Sequence, residues 1–266
     1  MSKRKTVPFK LTSKNYFSKD RPHVSYSMIK DFLSSPALYK KRYVLREPRP
    51  PMTDAMKFGS LVDAILTNPK EAAKYRAGKK ERGSSPEEDR YRVSEDAFAE
   101  ADMLAKFVRS QPFWNAGKKD YQVVVEGDLV GAQVCGMVDA VLNHADGVVL
   151  LDLKCTNSRA MASANSWKWQ VLDFGYHLQA AMYCELWRQR TGILPRFVHV
   201  TACVDGNGMP RVRLYELPFV GLSEIERGIS GIRKGDFDDP PVEWSGVELI
   251  QITQTYDAVP SLQENL

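Results

Sequence analysis

The chain has 266 residues, of which 43% are hydrophobic and 26% charged, and its formal net charge is +4. This composition is ordinary for a soluble globular protein with a sizeable core. The charge is too small to indicate nucleic-acid binding by itself, although lysine and arginine cluster at 3–5, 40–42 and 79–82.

Several classes of protein are excluded by what the sequence lacks. No run approaches the roughly 18 apolar residues of a membrane span, and the basic start lacks the apolar stretch of a signal peptide, so we expect a cytoplasmic protein with no membrane partner. The four cysteines have no CxxC spacing, which argues against a zinc knuckle, an iron–sulfur cluster or a disulfide scaffold. The phosphate-binding pattern GxxxxGK[ST] is also absent, so the chain is not expected to be an ATP-driven motor.

Helices are predicted near the start, after a flexible basic segment over residues 1–24. The stretch "SYSMIKDFLSSPALYKKRYVLREP" predicts two short helices on either side of Ser35-Pro36, because proline cannot continue a helix. In "DAMKFGSLVDAILTNP" the apolar residues recur at helical spacing, which predicts a further helix.

An exposed loop is predicted over 78–93, where the sequence is polar and rich in helix breakers, and an amphipathic helix follows at about 94–110. From Tyr121 the hydrophobic period changes to that of strands joined by short turns, as in an antiparallel meander. The three strand-like runs are "YQVVVEGDLV", "QVCGMVDAVL" and "GVVLLDLKCT".

The second half is predicted to hold a long helix at about 169–190, two more strands and a helix at about 218–234. This order predicts one α/β domain over residues 25–240, with a mixed central sheet flanked by helices, and a C-terminal tail over 241–266.

Three charged residues lie inside apolar strands of one hairpin, where burial without partners is costly. If the turn is His144 to Gly147, Asp139 falls opposite Asp152, with Cβ atoms ~4.5–5.5 Å apart. The two-residue period places Lys154 on the face of Asp152. The pattern predicts that two carboxylates and one lysine converge.

A third carboxylate is predicted to face the same place, because a Gly131-Ala132 turn would pair Glu126 with Met137 on the face of Asp139. Hard oxygen ligands of this kind suit Mg²⁺, or Mn²⁺, better than zinc. A simpler interpretation stays open, in which Lys154 forms a salt bridge with one aspartate and the other lies in water.

Polar residues on two helices extend this candidate site. Asp63 follows Gly59 and Ser60 by one helical turn, so its neighbours are small and another element can approach it closely. Gln179 and Tyr183 stand at i and i+4 of the later helix. The alternative for both helices is an ordinary exposed face.

Five ordered motifs resemble the PD-(D/E)xK nuclease superfamily, and within it the RecB-like and exonuclease VIII (RecE-like) phage recombination nucleases. The resemblance covers roughly residues 25–235 and implies a restriction-endonuclease-like core. The motifs are "SMIKDFLSSPALY", "FGSLVD", the G-x-x-D strand Gly136 to Asp139, the D-x-K strand Asp152 to Lys154 and the Q-x-x-x-Y helix Gln179 to Tyr183. Asp63 stands where many relatives have a metal-binding histidine, and the cysteines of the iron–sulfur branches are missing.

The resemblance implies Mg²⁺-dependent hydrolysis of DNA phosphodiesters. Asp139, Asp152, the backbone carbonyl of Leu153 and Asp63 would hold one ion, Glu126 would help to recruit a second, and Lys154 would orient and help deprotonate the attacking water. It further implies a 5′→3′ exonuclease acting on the ends of linear duplex DNA in recombination or repair, a homo-oligomeric ring such as a tetramer, and a single-strand annealing partner.

Positive and aromatic side chains are candidate DNA contacts, because a carboxylate-rich site repels DNA unless cations surround it. The candidates are Lys40, Lys41, Arg42, Arg159 and Lys168, with Gln179 and Tyr183 as DNA contacts or supports of the metal ligands, and Trp167 and Trp169 as either base-stacking or core residues. Two other functions stay open: a catalytically silent DNA-binding recombination-accessory module with the same fold, and a non-nuclease metal enzyme on an unrelated α/β scaffold.

Overall fold

The computed structural model describes residues 11–18, 20–78, 85–144 and 147–238. The predicted C-terminal tail and part of the predicted 78–93 loop lie outside these residues. The helices are α1 Tyr26–Ser34, α2 Pro36–Tyr39, α3 Asp54–Thr67, α4 Pro69–Ala72, α5 Pro86–Arg90, α6 Glu95–Ser110, α7 Pro112–Asn115, α8 Ala164–Asp173, α9 Tyr176–Thr191 and α10 Leu222–Lys234. A π-helical turn, Lys40–Val44, follows α2. The strands are β1 Val24–Ser25, β2 Arg76–Ala77, β3 Arg92–Val93, β4 Lys118–Leu129, β5 Ala132–His144, β6 Gly147–Cys155, β7 Arg196–Val204 and β8 Pro210–Leu217.

The central sheet is mixed and has β5 and β6 in its middle. Strands β4, β5 and β6 form the predicted antiparallel meander, β7 joins β6 in parallel, and β8 closes the far edge antiparallel to β7. The α/β fold with helices around a mixed sheet is confirmed.

A fork opens along one edge of β5. Strand β5 has two edges. Strand β4 pairs with residues 132–143 along one edge, so β1 and β6 both pair with the opposite edge. Strand β6 pairs with residues 140–144 and β1 pairs with Val134 and Cys135. Residues 136–139 of β5 therefore lie where the two neighbours have separated.

Two hydrophobic cores cover the two faces of the sheet. One core contains Val138, Val141, Leu150 and Met182 and includes residues of α1, α8, α9 and α10. The other contains Leu61 of α3 and residues of α6, packed against Ala140, Leu151 and Val200. The helices on both sides bury their apolar stripes against the sheet.

The prediction of one long helix at 169–190 is wrong. This segment belongs to two helices, α8 and α9, which are separated at Gly175. This glycine has φ 67, a left-handed conformation that other residues adopt at a cost. Its carbonyl accepts a hydrogen bond from the Tyr26 hydroxyl. A Cβ at this position would lie 2.6 Å from that hydroxyl oxygen, so a larger residue would displace the tyrosine and disturb this hydrogen bond.

Two segments predicted to be flexible or exposed contain ordered elements. Leu11 and Tyr16, within the predicted flexible segment 1–24, are buried against Cys135 of β5. Residues 85–93 of the predicted loop form α5 and β3, and Lys57 of α3 forms a 3.2 Å ion pair with Asp89. None of the described helices is long and apolar enough to cross a lipid bilayer.

Candidate active site

The predicted hairpin register is confirmed up to the edge of the fork. His144 pairs with Gly147 and Val141 with Leu150, and the last pair is Ala140 with Leu151. Asp139 and Asp152 would be the next pair, but the ladder has ended. Instead, the backbone N–H of Leu153 donates a 2.8 Å hydrogen bond to Oδ2 of Asp139.

The side chains of β5 alternate between the two faces of the sheet, and this alternation is interrupted at Asp139. Val138 and Val141 belong to the same core cluster, although residues three apart in a regular strand face opposite sides of the sheet. Across β4, Tyr121 pairs with Ala140 and Val123 with Val138, which places Gln122, with φ 51, opposite Asp139. Because of this irregularity, the Asp139 side chain can reach the backbone of β6 where β5 and β6 have separated.

Asp152 is almost completely buried and has partners from three elements. Its Oδ1 accepts a 3.1 Å hydrogen bond from Nε2 of Gln179 on α9, and its Oδ2 contacts Nζ of Lys154. On β7, His199 pairs with it, with Nε2 3.5 Å from Oδ2. The salt bridge of the simpler interpretation is therefore present, but it stands within a larger cluster.

Asp63 reaches this cluster from α3, on the other side of the fork. Its Oδ1 lies 3.1 Å from Oγ1 of Thr67, which accepts a 2.9 Å hydrogen bond from Nε2 of Gln122. The charges of Asp152 and Lys154 act on its carboxyl group. The structure thus brings together Asp63, Asp139, Asp152 and Lys154, from one helix and two strands.

The pKa values of Asp63, Asp139 and Lys154 are shifted first by burial and then by the charges of their neighbours. Burial raises the pKa of Asp63 to about 6, and the charge of Asp152 contributes to the rise. Burial, and then the charges of Asp63 and Asp152, raise the pKa of Asp139 well above its ordinary value. Burial disfavours the Lys154 ammonium, but Asp152 and Asp139 outweigh it and raise its pKa. Negative charge in the cluster is incompletely compensated.

The donor set suits a hard divalent cation. The carboxylates of Asp63, Asp139 and Asp152 and the carbonyl of Leu153 are oxygen ligands, which Mg²⁺ and Mn²⁺ prefer. A cation would oppose both the burial and the carboxylate repulsion that raise the pKa values of Asp63 and Asp139. Among the described residues, no three His, Cys, Asp or Glu side chains form a ready metal-binding group. Two carboxylate oxygens that could bind such an ion already have partners. The Leu153 N–H donates to Asp139, and the Lys154 ammonium contacts Asp152.

Glu126 does not join this cluster, and its predicted pairing is wrong. It pairs with Cys135, two residues from the predicted Met137, and its side chain lies 3.4 Å from Nε2 of His23. The turn is Val130-Gly131, with φ 45 and 73, rather than Gly131-Ala132. Positive φ is unfavourable for a β-branched residue such as valine, so the sequence did not indicate this turn.

Tyr183 lies behind the site and is buried, so it is not placed to contact DNA. Its ring covers Gly136, where a Cβ would overlap the ring atoms. It shares side-chain hydrogen bonding with Gln179 and with Tyr16. Tyr183 therefore supports the glutamine that holds Asp152.

The candidate DNA contacts differ in exposure and in whether an acidic side chain already pairs with them. Arg42 is held by Asp31 at 2.6 Å, and Lys40 forms a 3.3 Å pair with Asp238. Lys41 and Arg159 are exposed, and Lys168 is partly buried. Of the two tryptophans, Trp167 is a core residue whose ring stacks on Tyr215, whereas Trp169 is 52% exposed.

Sequence reasoning missed Gln122 and His199. His199 is fully buried beside Asp152, and burial, with the charge of Lys154, lowers its pKa well below the ordinary value, so the ring is neutral. A histidine inside the apolar strand "RFVHVTACV" was the available signal. Gln122 gave none, because its position depends on the β4–β5 register.

A mixed sheet whose fork presents Asp139, Asp152 and Lys154 on adjacent strands defines a member of the PD-(D/E)xK nuclease superfamily. The chain belongs to the family described as "PDDEXK-like domain of unknown function (DUF3799)", whose model matches residues 25–233.

A solved structure has a similar fold. A "putative exonuclease" from Eubacterium rectale is 19% identical and superposes with a TM-score of 0.61 over 97% of this chain and 98% of that chain. The structure of SSO0001 is 12% identical over 84% of this chain and 81% of that chain, and its TM-score of 0.39 is too low to support an argument. No curated protein matches this chain. Family and site together support a nuclease.

Proposed function

We propose that this protein is a Mg²⁺-dependent exonuclease that hydrolyses phosphodiesters at the ends of linear double-stranded DNA. The observation that carries the proposal is the convergence of Asp63, Asp139, Asp152 and Lys154 at the fork between β5 and β6. The raised pKa values of Asp63 and Asp139, next to a lysine in a superfamily of nucleases, fit phosphodiester hydrolysis better than they fit a structural role.

The carboxylates of Asp63, Asp139 and Asp152 and the Leu153 carbonyl would bind the cation. A divalent ion there supplies Lewis-acid polarisation of the phosphate and lowers the pKa of bound water. Glu126 is left out of this ligand set because of its contact with His23, so one ion is proposed rather than two.

Lys154 would act on the attacking water and the developing charge. Burial disfavours the Lys154 ammonium, whereas Asp152 and Asp139 raise its pKa, so Nζ can donate hydrogen bonds to the water and to a non-bridging phosphate oxygen. A cation bound to these carboxylates would offset their charge and lower that pKa, so that Lys154 would help deprotonate the water. Water oxygen bonds to phosphorus, the bond to the leaving ester oxygen breaks, and one water proton ends on that oxygen. Gln179 would keep Asp152 in position through its 3.1 Å hydrogen bond.

Polarity, assembly and biological role are proposed from the resemblance to RecE-like nucleases. They comprise 5′→3′ digestion, a homo-oligomeric ring that encloses the DNA, and handover of the remaining strand to an annealing protein in recombination or repair. A ring is consistent with a chain that lacks an ATP-binding motif, because enclosure keeps an enzyme on DNA without an ATP-driven motor.

The test is digestion of linear duplex DNA labelled at the 5′ or the 3′ end, with Mg²⁺ or with EDTA. Wild type should release mononucleotides only with Mg²⁺, the 5′ label first, and should leave closed circular DNA intact. Lys154→Ala and Asp152→Ala should lose at least about 100-fold in rate, since each supports transition-state charge. Lys106→Ala is the matched control, because Lys106 is exposed and pairs with Asp102.

Each outcome has a defined meaning. Wild-type rates in both site variants would contradict the assignment of the site. Tight DNA binding without Mg²⁺-dependent cleavage would favour the catalytically silent module. Turnover of a small phosphoester without cleavage of DNA would favour a different metal enzyme.

A further inference from the structure

A series of aromatic rings leads from the catalytic lysine to the surface. Nζ of Lys154 lies 4.7 Å from the centre of the Tyr176 ring. Phe174 stacks on Tyr176 with centroids 5.5 Å apart and an angle of 27°, and its side chain is 44% exposed. On the inner side, the buried Trp167 stacks on Tyr176 at 6.1 Å. The solvent end of the series is therefore an exposed phenyl ring, one ring away from Lys154.

A second lysine stands at this exposed ring. Nζ of Lys30, on α1, lies 5.4 Å from the centre of Phe174. Partial burial lowers the pKa of Lys30, the neighbouring Asp31 opposes this shift, and the charge of Lys154 adds to it. Two cations thus accompany the series, Lys154 at Tyr176 and Lys30 at Phe174.

The position of Phe174 is held by the break between α8 and α9. The left-handed Gly175 follows it directly, and the Tyr26 hydroxyl binds the Gly175 carbonyl. Tyr26 and Lys30 are i and i+4 on α1 and so share a helix face. One face of α1 therefore fixes the turn that presents the ring and supplies the cation beside it.

We infer that Phe174 and Lys30 form a subsite for the terminal nucleotide of a DNA end, in which Phe174 stacks on an unpaired base and Lys30 binds a phosphate. The inference rests on the proposed function and specifies its substrate as an end with at least one unstacked base. An exposed ring accepts any base by stacking, and an adjacent ammonium attracts the backbone, which together are the requirements of sequence-independent single-strand binding.

The position of the cations favours a nucleotide over an apolar partner. A hydrophobic peptide would bury the Lys30 ammonium further without adding an anion, which is costly, because the neighbouring Asp31 is already held by Arg42 and Tyr43. A nucleotide brings both a π-face and an anion. Because the aspartate cluster repels phosphate, a cation outside that cluster is needed to bring an end to the site.

The test is binding of a duplex that carries 2-aminopurine in a three-nucleotide unpaired end, measured by fluorescence in EDTA so that no Mg²⁺-dependent cleavage occurs. Phe174→Ala should weaken binding of this end about 5- to 100-fold, and Phe174→Trp, which keeps a stacking ring, should preserve affinity and quench the probe. Lys30→Ala should weaken binding and reduce the slope of log Kd against log salt by about 0.7. Phe219→Ala is the control, because Phe219 is 41% exposed.

The outcomes separate this inference from the proposed function. If Phe174→Ala binds the unpaired end with the wild-type Kd, the subsite does not exist, whether or not the enzyme cleaves DNA. If the end binds through Phe174 but wild type never cleaves DNA with Mg²⁺, the proposed function fails and the subsite stands as a DNA-end binding site. Equal weakening in Phe219→Ala would show a general surface effect and overturn the inference.

Discussion

The backbone N–H of Leu153 donates a 2.8 Å hydrogen bond to the side chain of Asp139, where a regular ladder would use a backbone carbonyl. The β5–β6 ladder ends one step earlier, at Ala140 and Leu151. The carboxylate therefore satisfies a backbone donor that the fork would otherwise leave unpaired. Asp139 is both a candidate metal ligand and a structural acceptor, and these two roles are separable.

Asp139→Asn should keep the structural role and lose the catalytic one. An asparagine oxygen can still accept from Leu153, but the charge is gone, so cleavage should fall by at least about 100-fold while stability does not decrease. Asp139→Ala should have a free energy of unfolding about 1–3 kcal/mol lower than that of Asp139→Asn, because the Leu153 N–H loses its partner. Urea denaturation and cleavage assays check both. Equal stability of the two variants would show that the hydrogen bond is unimportant.

Gln179→Ala should raise the Mg²⁺ concentration that half-saturates cleavage by about 10- to 100-fold, because the amide that orients Asp152 is removed. Gln189→Ala on the same helix is a suitable control, since its partners are Asp128 and Glu185. The measurement is the cleavage rate as a function of Mg²⁺. An unchanged half-saturating concentration would mean that Gln179 does not act through Asp152.

Asp63→Asn should stabilise the protein in EDTA above pH 6. The folded pKa is about 6, against about 3.9 in unfolded chains, so the stability that this group contributes is complete below about pH 4 and is lost as pH rises through 6. Asparagine avoids the loss, which is on the order of 1–3 kcal/mol at pH 8, since one pKa unit is 1.36 kcal/mol.

Urea denaturation in EDTA at pH 4 and pH 8 tests this expectation. The Asp63→Asn advantage should appear only at pH 8, and Mg²⁺ should reduce it by stabilising wild type. Asp102→Asn, at an exposed position paired with Lys106, should show no such pattern. A variant less stable than wild type at pH 8 would mean that the carboxylate is well compensated.

Gly136→Ala should destabilise the fold by about 1–3 kcal/mol, because the new Cβ would overlap the Tyr183 ring in a packed core. Cleavage should also fall, since Tyr183 supports Gln179. Gly206→Ala, where a Cβ meets no atom within 4 Å, is the control. Thermal unfolding of both variants decides, and equal midpoints would show that the ring can move aside.

Lys41→Ala and Arg42→Ala should separate DNA affinity from stability. Lys41 is exposed, so its loss should weaken DNA binding uniformly across sequences and reduce the salt slope by about one, with little change in unfolding. Arg42 is held by Asp31, so its loss should cost about 1 kcal/mol of stability. Salt-dependent binding and urea titrations measure both. If Lys41→Ala binds DNA as wild type does, this turn is not a phosphate contact.

The sequence predicted those parts of the fold whose signals are local. Period-two alternation located β4, β5 and β6, and the turn near Gly147 set the register that carries Asp139 towards Asp152. The prediction for Glu126 was wrong because its register depends on the Val130-Gly131 turn, in which a valine adopts positive φ. The predicted long helix was wrong because Gly175 within an otherwise helical pattern gives no certain sign of a break.

What the sequence by itself determined is the chemistry of the candidate site: aspartates and a lysine in apolar strands, where burial requires that they have partners. Only the tertiary structure decided which side chains meet. The fork between β5 and β6 joins Asp139 to Leu153, and α3 adds Asp63 from across the sheet. The α8–α9 break places Phe174 beside Lys30. The reason is physical: side-chain period follows from local backbone geometry, whereas the meeting of distant elements depends on packing the whole chain.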